Sequence, residues 1–325
     1  MKREKTSALT VFWISIITAF ILTLLVRVFD PLLDKVMHLP DAGAKWYYWK
    51  LPEPSFWARI TAWGGYALHQ IAVWWLIIRM MRSDKKQTTI SRDNIILLLV
   101  NLAFIVFHFI QTHIWYDGLA QDVPIWTSQY SVIIMLVIIL LMLFPRRGFL
   151  WGKKLKVSKP VVNFLRKYHG LYISWALIYT FWFHPMEGDM AILAGFFYMF
   201  LLLIQLSFFN TKIHFNLAWI GLLEFFVAAH GTMIAIMNGQ EVWTMFLFGF
   251  LIMTVFTHMH GLKLKRWHKF AILAVFAAGM IVAYSFRGWE NVYEIIFIPA
   301  ALYGGAFALW LVTAAGTKIA GKLKR

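Results

Sequence analysis

Residues 8–29 read ALTVFWISIITAFILTLLVRVF, and Arg27 is the one charged residue among them. A helix that crosses a bilayer needs roughly 20 apolar residues, and this run supplies them. It is too long for the core of a signal peptide, and no small-residue cleavage site follows it. It therefore reads as a first span rather than a leader. Nine further stretches of the same kind lie near 56–81, 93–115, 127–145, 161–184, 189–209, 215–237, 241–260, 267–286 and 293–315. The expected fold is all-α: a polytopic membrane protein of about ten transmembrane helices. A mean hydropathy of +0.66 and 61% hydrophobic residues exclude an ordinary soluble domain.

The formal net charge is +16, and its placement decides what it means. Taking the N-terminus as cytoplasmic, the inner segments are 1–7, 82–92, 146–160, 210–214, 261–266 and 316–325. They hold Lys2, Arg3, Lys5, Arg82, Lys85, Lys86, Arg92, the run from Arg146 to Lys159, Lys212, Lys263 to Arg266 and Lys318 to Arg325. The outer loops hold Asp30, Asp34, Asp41, Glu53, Asp117, Asp122, Glu187, Asp189, Glu241, Glu290 and Glu294. Basic residues alternate with acidic ones at every crossing, which is the positive-inside pattern. It predicts both termini in the cytoplasm and residence in the cell (cytoplasmic or inner) membrane. The basic loops orient the chain and meet anionic lipid, so a nucleic-acid partner is not expected. The aromatic run Trp46-Tyr47-Tyr48-Trp49 in the outer loop 31–55 suits the headgroup level.

The chain has no cysteine. That removes disulfides, thiolate metal sites, iron–sulfur clusters and covalently attached c-type haem. Any metal must be held by His, Met or carboxylate. There is no phosphate-binding Gly-rich loop and no dinucleotide fingerprint. Electrons from NAD(P)H or flavin would need a separate reductase, or a quinone, to deliver them.

Nearly all of the eleven histidines lie inside or at the ends of the apolar stretches. Intramembrane ionisable residues are candidates for function. Sorted by depth, His169, His214, His258, His260 and His268 fall near the inner face. His108, His113, His184 and His230 fall toward the outer face, and His69 near the middle. His38, in the outer loop, reads as a surface residue. His169 and His184 are fifteen residues apart, so about 22 Å along a helix, and their directions differ by roughly 60°. One helix could thus ligate two cofactors stacked across the membrane. His214 and His230, sixteen apart, point to nearly opposite sides, which favours His230. His258 and His260 lie about 200° apart on a regular helix and cannot chelate one ion from it. His108 and His113 differ by about 140°, so one of them faces a given neighbour. His169, His184, His230 and His268 are the foremost candidates for metal or haem iron, followed by His108, His113, His258 and His260. Glu224 is the acidic residue well inside a span. It is expected to be protonated and hydrogen-bonded, or to act as a proton relay, quinone contact or metal ligand. Gln70, Asn101, Gln111 and Gln205 could line the same interior.

Two of these stretches carry a resemblance. Leu165-Arg166-Lys167-Tyr168-His169-Gly170-Leu171, with His184 at the far end of its helix, resembles the ferric-reductase-like transmembrane domain and related membrane b-type cytochromes. Leu264-Lys265-Arg266-Trp267-His268-Lys269 looks like the second basic-aromatic-His helix start of that group. The resemblance covers about a third of the chain. It implies two b haems, one near each face, that pass electrons from a cytoplasmic donor or quinol to an outer acceptor. The spacing of His169 and His184 is slightly longer than the family's. The helix that begins at His268 carries no second histidine near its outer end, so His230 or His113 would have to supply that ligand.

The expected organisation is one integral membrane domain over 1–325, with 93–286 as the haem-binding core. The expected function is transmembrane electron transfer, with membrane lipid and a quinone or flavin-dependent reductase as partners. Three other readings stand beside it. One is a membrane-embedded non-haem metal enzyme of the lipid hydroxylase or desaturase type, with Glu224, His230, His108 and His69 as a cluster. Another is a transporter or lipid-binding protein. The last is an assembly factor.

Overall fold

A computed structural model describes residues 2–40, 50–53, 55–82, 89–116, 118–154, 157–237, 239–262 and 264–323. The aromatic run 46–49 and Asp41, Lys85, Lys86, Asp117 and Lys263 lie outside the described residues. The described residues form helices α1 (Lys2–Phe29), α2 (Phe56–Arg82), α3 (Arg92–Trp115), α4 (Ile125–Arg147), α5 (Lys159–Phe183), α6 (Met190–Ser207), α7 (Leu217–Met237), α8 (Trp243–Met253), α9 (Met259–Gly261), α10 (Arg266–Arg287) and α11 (Phe297–Leu323). A π-helical turn, Thr254–His258, joins α8 to α9, so Trp243–Gly261 is one rod. No strand occurs among the described residues.

Eight of these rods are long and apolar enough to cross a membrane: Ser7–Leu33, Arg92–Trp115, Ile125–Pro145, Met190–Ser207, Leu217–Met237, Trp243–Gly261, Arg266–Arg287 and Trp289–Gly316. The two other expected spans, α2 and α5, are long enough at 27 and 25 residues. They are less apolar because the middle of α2 carries Gly64, Gly65, Tyr66, His69 and Gln70, and α5 carries Lys159, Arg166, Lys167 and His169. Large side chains such as Trp13, Ile17, Phe20 and Leu24 on α1 and Val275 and Phe286 on α10 are exposed. Apolar faces of this extent belong in hydrocarbon rather than in water.

The residues group into two compact units. Unit 1 comprises Met1–Val132 and His169–Leu223; unit 2 comprises Ile133–Tyr168 and Glu224–Arg325.

In unit 1, α2 packs on α3, and α6 on both α1 and α3. The α1 seam is Phe12, Ala19 and Val26, all buried and seven residues apart, a spacing that keeps one helix face turned to its neighbour. Helix α3 repeats the device with polar residues. Asn94, Asn101 and His108, again seven apart, are all buried. Asn94 closes a capping box with Ser91 at the start of α3. Its Nδ2 also donates to the carbonyls of Ser207 (2.8 Å) and Phe209 (3.1 Å) at the end of α6. Gly65 of α2 lies against the Trp182 ring, where any Cβ would clash.

In unit 2, α8 packs on α10 and α11. The turn 148–153 docks on the π-helical segment. Trp151 N donates to the Phe256 carbonyl (2.9 Å), and Thr257 Oγ1 to the Phe149 carbonyl (2.7 Å). A π turn breaks the regular i→i−4 ladder, and here the turn's own backbone satisfies groups so released. At the other end of the α8 rod, the buried Glu294 carboxylate is bonded by the Thr244 and Tyr284 hydroxyls and paired with Arg287.

Asn101 links three elements of unit 1. Replacing it with Leu is expected to lower stability by about 1–3 kcal/mol, the cost of leaving buried polar partners unsatisfied. Thermal unfolding of the detergent-solubilised chain would show this as a lowered midpoint.

Candidate functional site

Most of the histidines of unit 1 form a buried polar column with the amides of α2, α3 and α6. At its centre, His69 is fully buried. Its Nε2 lies 2.9 Å from Asn101 Oδ1, and its Nδ1 accepts from Trp182 Nε1 at 3.2 Å. An amide oxygen accepts and an indole donates, so His69 is neutral with its proton on Nε2, and both nitrogens are occupied. Phe104 stacks on its face at 4.4 Å. Asn101 passes the chain on by donating to Ser207 Oγ at 2.8 Å.

His108, also fully buried, places Nε2 2.8 Å from the His184 carbonyl and Nδ1 3.2 Å from Gln111 Oε1. A neutral imidazole cannot donate twice. Turning the Gln111 amide over makes it the donor to Nδ1, and also accounts for its Nε2, which as placed has no partner. His108 is therefore held at both nitrogens. His113, one turn further along α3, is partly exposed. Its Nδ1 donates to the Phe109 carbonyl at 2.8 Å, while Nε2 is buried with no hydrogen-bond partner. The expectation that only one of His108 and His113 faces a given neighbour agrees with this.

His184 sits one residue beyond α5, and its Nδ1 donates to the Thr180 carbonyl at 2.9 Å. At the other end of unit 1, His169 on α5 faces His214, Nε2 to Nε2, at 3.3 Å. His214 Nδ1 donates to the Gln205 carbonyl (3.1 Å), and the Gln205 side chain bonds the His214 carbonyl and Trp219 Nε1 in return. Burial pushes the His214 imidazole down to about 4, with His169 beside it adding to the effect. The preference for His230 over His214 is thus reversed for this contact. His214 lies in the loop before α7, which begins at Leu217, so an angle counted along a helix does not apply to it.

The site also includes a group that sequence reasoning set aside. His38 is not a free surface residue. Its ring packs on Tyr116 at 5.0 Å, and its Nε2 lies 3.5 Å from Glu187 Oε1. The Tyr116 hydroxyl donates to the same, nearly fully buried carboxylate. Burial lowers the His38 pKa from the usual imidazole range. No local sequence signal pairs residues 38, 116 and 187, because three separate loops bring them together.

In unit 2 the remaining candidates go to separate partners. Glu224, expected to be hydrogen-bonded, has an arginine as its partner: its Oε1 accepts from Arg147 Nη1 at 2.6 Å. Its Oε2 faces His258 Nδ1 at 3.5 Å. His260 Nε2 bonds the Val255 carbonyl at 3.2 Å. His268 lies flat on Trp267, with ring centroids 3.7 Å apart. His258 and His260 are therefore not ligands of one shared centre, in agreement with their angular separation. His230 sits half-buried on α7. Of the residues expected to suit non-haem iron, Glu224 in unit 2 is taken by Arg147, and His69 and His108 in unit 1 by amide, indole and carbonyl partners. Among the described residues, no three His, Asp or Glu side chains stand close enough to hold one metal ion.

No family model, curated protein or solved structure matches this chain.

His38 gives a pH prediction. Its folded pKa lies below the unfolded value of about 6.5, so the unfolded chain takes up its proton first. The stability that neutral His38 contributes is full above about pH 6.5 and is lost as pH falls below it. In His38→Gln the unfolding midpoint should fall less steeply from about pH 7 to 5 than in the parent chain; equal slopes would remove His38 from the account.

Proposed function

We propose that the chain is a ten-span protein of the cytoplasmic membrane, with both termini inside, that carries electrons across the bilayer through b-type haem held by histidines of unit 1. The orientation rests on the basic inner segments and acidic outer loops. The observation that supports the functional reading is a shared geometry. His113, His184 and His214 each donate Nδ1–H to a backbone carbonyl. That bond fixes the tautomer, makes Nε2 the lone-pair nitrogen and raises its basicity, as in metal-bound histidines. Neutral imidazoles so oriented suit haem iron. His169 with His214 would serve the end where α5 begins, and His184 with His113 the end where it finishes. Bound haem would supply one-electron cycling of iron. The protein's own part is to hold the imidazoles neutral and to surround them with Phe and Trp rings, which keep water away.

A second reading has its own observation. Two nitrogens bonded at about 2.0–2.1 Å to one tetrahedral ion lie about 3.3–3.4 Å apart. The 3.3 Å between His169 and His214 fits a non-haem ion held side by side.

Optical spectra of the purified chain, oxidised and dithionite-reduced, with a haemochrome count, separate the two. A sharp reduced α band and about two haems per chain are expected, with His214→Ala and His184→Ala each removing a different one. A colourless protein would overturn the haem reading, and stoichiometric zinc, copper or iron in it would establish the second. For topology, a cysteine introduced at Lys154 should react with a membrane-impermeant thiol reagent only from inside, and one at Glu241 only from outside. The reverse labelling would invert the orientation.

A further inference from the structure

Arg147, Glu224 and His258 form a charged cluster inside unit 2 that the electron-transfer reading does not use. Glu224 lies two turns into an apolar span, where an unpaired carboxylate is costly. Arg147, with a side chain 2% exposed, reaches it from the end of α4. The aliphatic stem of Arg147 passes directly against Gly261, where any Cβ would collide with it. The second carboxylate oxygen is turned to His258. His258 is the last residue of the π-helical turn, whose extra residue re-aims the side chains that follow. Turns of this kind are frequent at functional sites, and this one is bonded to the 148–153 turn through Trp151 and Thr257.

The charges acting on His258 are Glu224 on α7 and Arg147 on α4. His260, on the same rod, is committed to the Val255 carbonyl. Arg147 and Glu224 are paired with each other at 2.6 Å. The group able to change its charge is then His258. Glu224 and His258 are each about a fifth exposed, at 19% and 20%, while Arg147 is not.

We propose that this triad is a proton-binding site. A proton from water adds to the imidazole nitrogen of His258 that faces away from Glu224. Glu224 is the counter-ion of the resulting imidazolium, and Arg147 holds the carboxylate from its other oxygen. The proposal is independent of whether unit 1 holds haem.

Histidine-selective ¹⁵N labelling of the full chain in lipid nanodiscs tests it, with His258→Gln identifying the signal. The His258 signal is expected to titrate. In Glu224→Gln its midpoint should fall by about one pH unit, a tenfold loss of proton affinity, because an opposite charge within about 4–6 Å is removed. In Arg147→Gln, which removes a like charge, it should rise by a similar amount. A merely structural role would not produce opposite shifts. If Glu224→Gln does not fold, the double variant Arg147→Gln/Glu224→Gln leaves no buried charge unpaired, and its midpoint must lie below that of Arg147→Gln alone. A His258 signal that does not change between about pH 4 and 9, or keeps one midpoint in all variants, overturns the proposal.

Discussion

The constraint on which the rest depends is that hydrocarbon offers no hydrogen-bond partner. Polar side chains that these apolar helices carry inward are therefore driven to find partners within the protein. In unit 1 this turns isolated residues into a chain. Trp182 donates to His69, His69 to Asn101, and Asn101 to Ser207. Each link joins a different pair of helices, so the same bonds that satisfy the histidines fix the register of α2, α3, α5 and α6. Breaking one link leaves two buried groups without partners, and the cost of orphaning them exceeds the net gain of forming the bond.

The histidines then divide by what their second nitrogen does. His69 and His108 spend both nitrogens on protein groups and behave as structural links. His113 spends Nδ1 on a carbonyl and keeps Nε2 buried without a hydrogen-bond partner; His184 and His214 also spend Nδ1 on a carbonyl, and His214 turns Nε2 to His169. The division follows from local geometry. A carbonyl four residues earlier on the same helix is always within reach of Nδ1, as in His113 and His184. Occupying Nε2 as well needs a neighbouring element, such as the His184 carbonyl for His108.

Unit 2 meets the same constraint with charge rather than with neutral amides. Glu224 is neutralised by Arg147, and Glu294 by Arg287 together with two hydroxyls. The two arrangements differ in what they leave open. Glu294 is enclosed and reads as a structural anchor between the α8 rod and the segment before α11. Glu224 keeps one oxygen turned to an imidazole that can change its charge.

Spans, interior polar residues and the separation of basic from acidic segments were legible in the sequence, because hydropathy and charge are sums over neighbouring residues. Gln70, Asn101 and Gln111 proved buried as expected, and the seven-residue interval of Asn94, Asn101 and His108 was a readable stripe that the histidine-centred reading passed over. Partner choice was not legible. His214 meets His169 through a loop whose path no helical angle describes, and His38 meets Glu187 across segments nearly 150 residues apart. His258 turns to Glu224 through a π turn. The sequence alone determined an all-helical chain rich in membrane-length segments, since each helix satisfies its own backbone whatever surrounds it. Only the tertiary structure decided which nitrogens and carboxylates meet, because that depends on the packing of helices remote in sequence and on the few irregular turns between them.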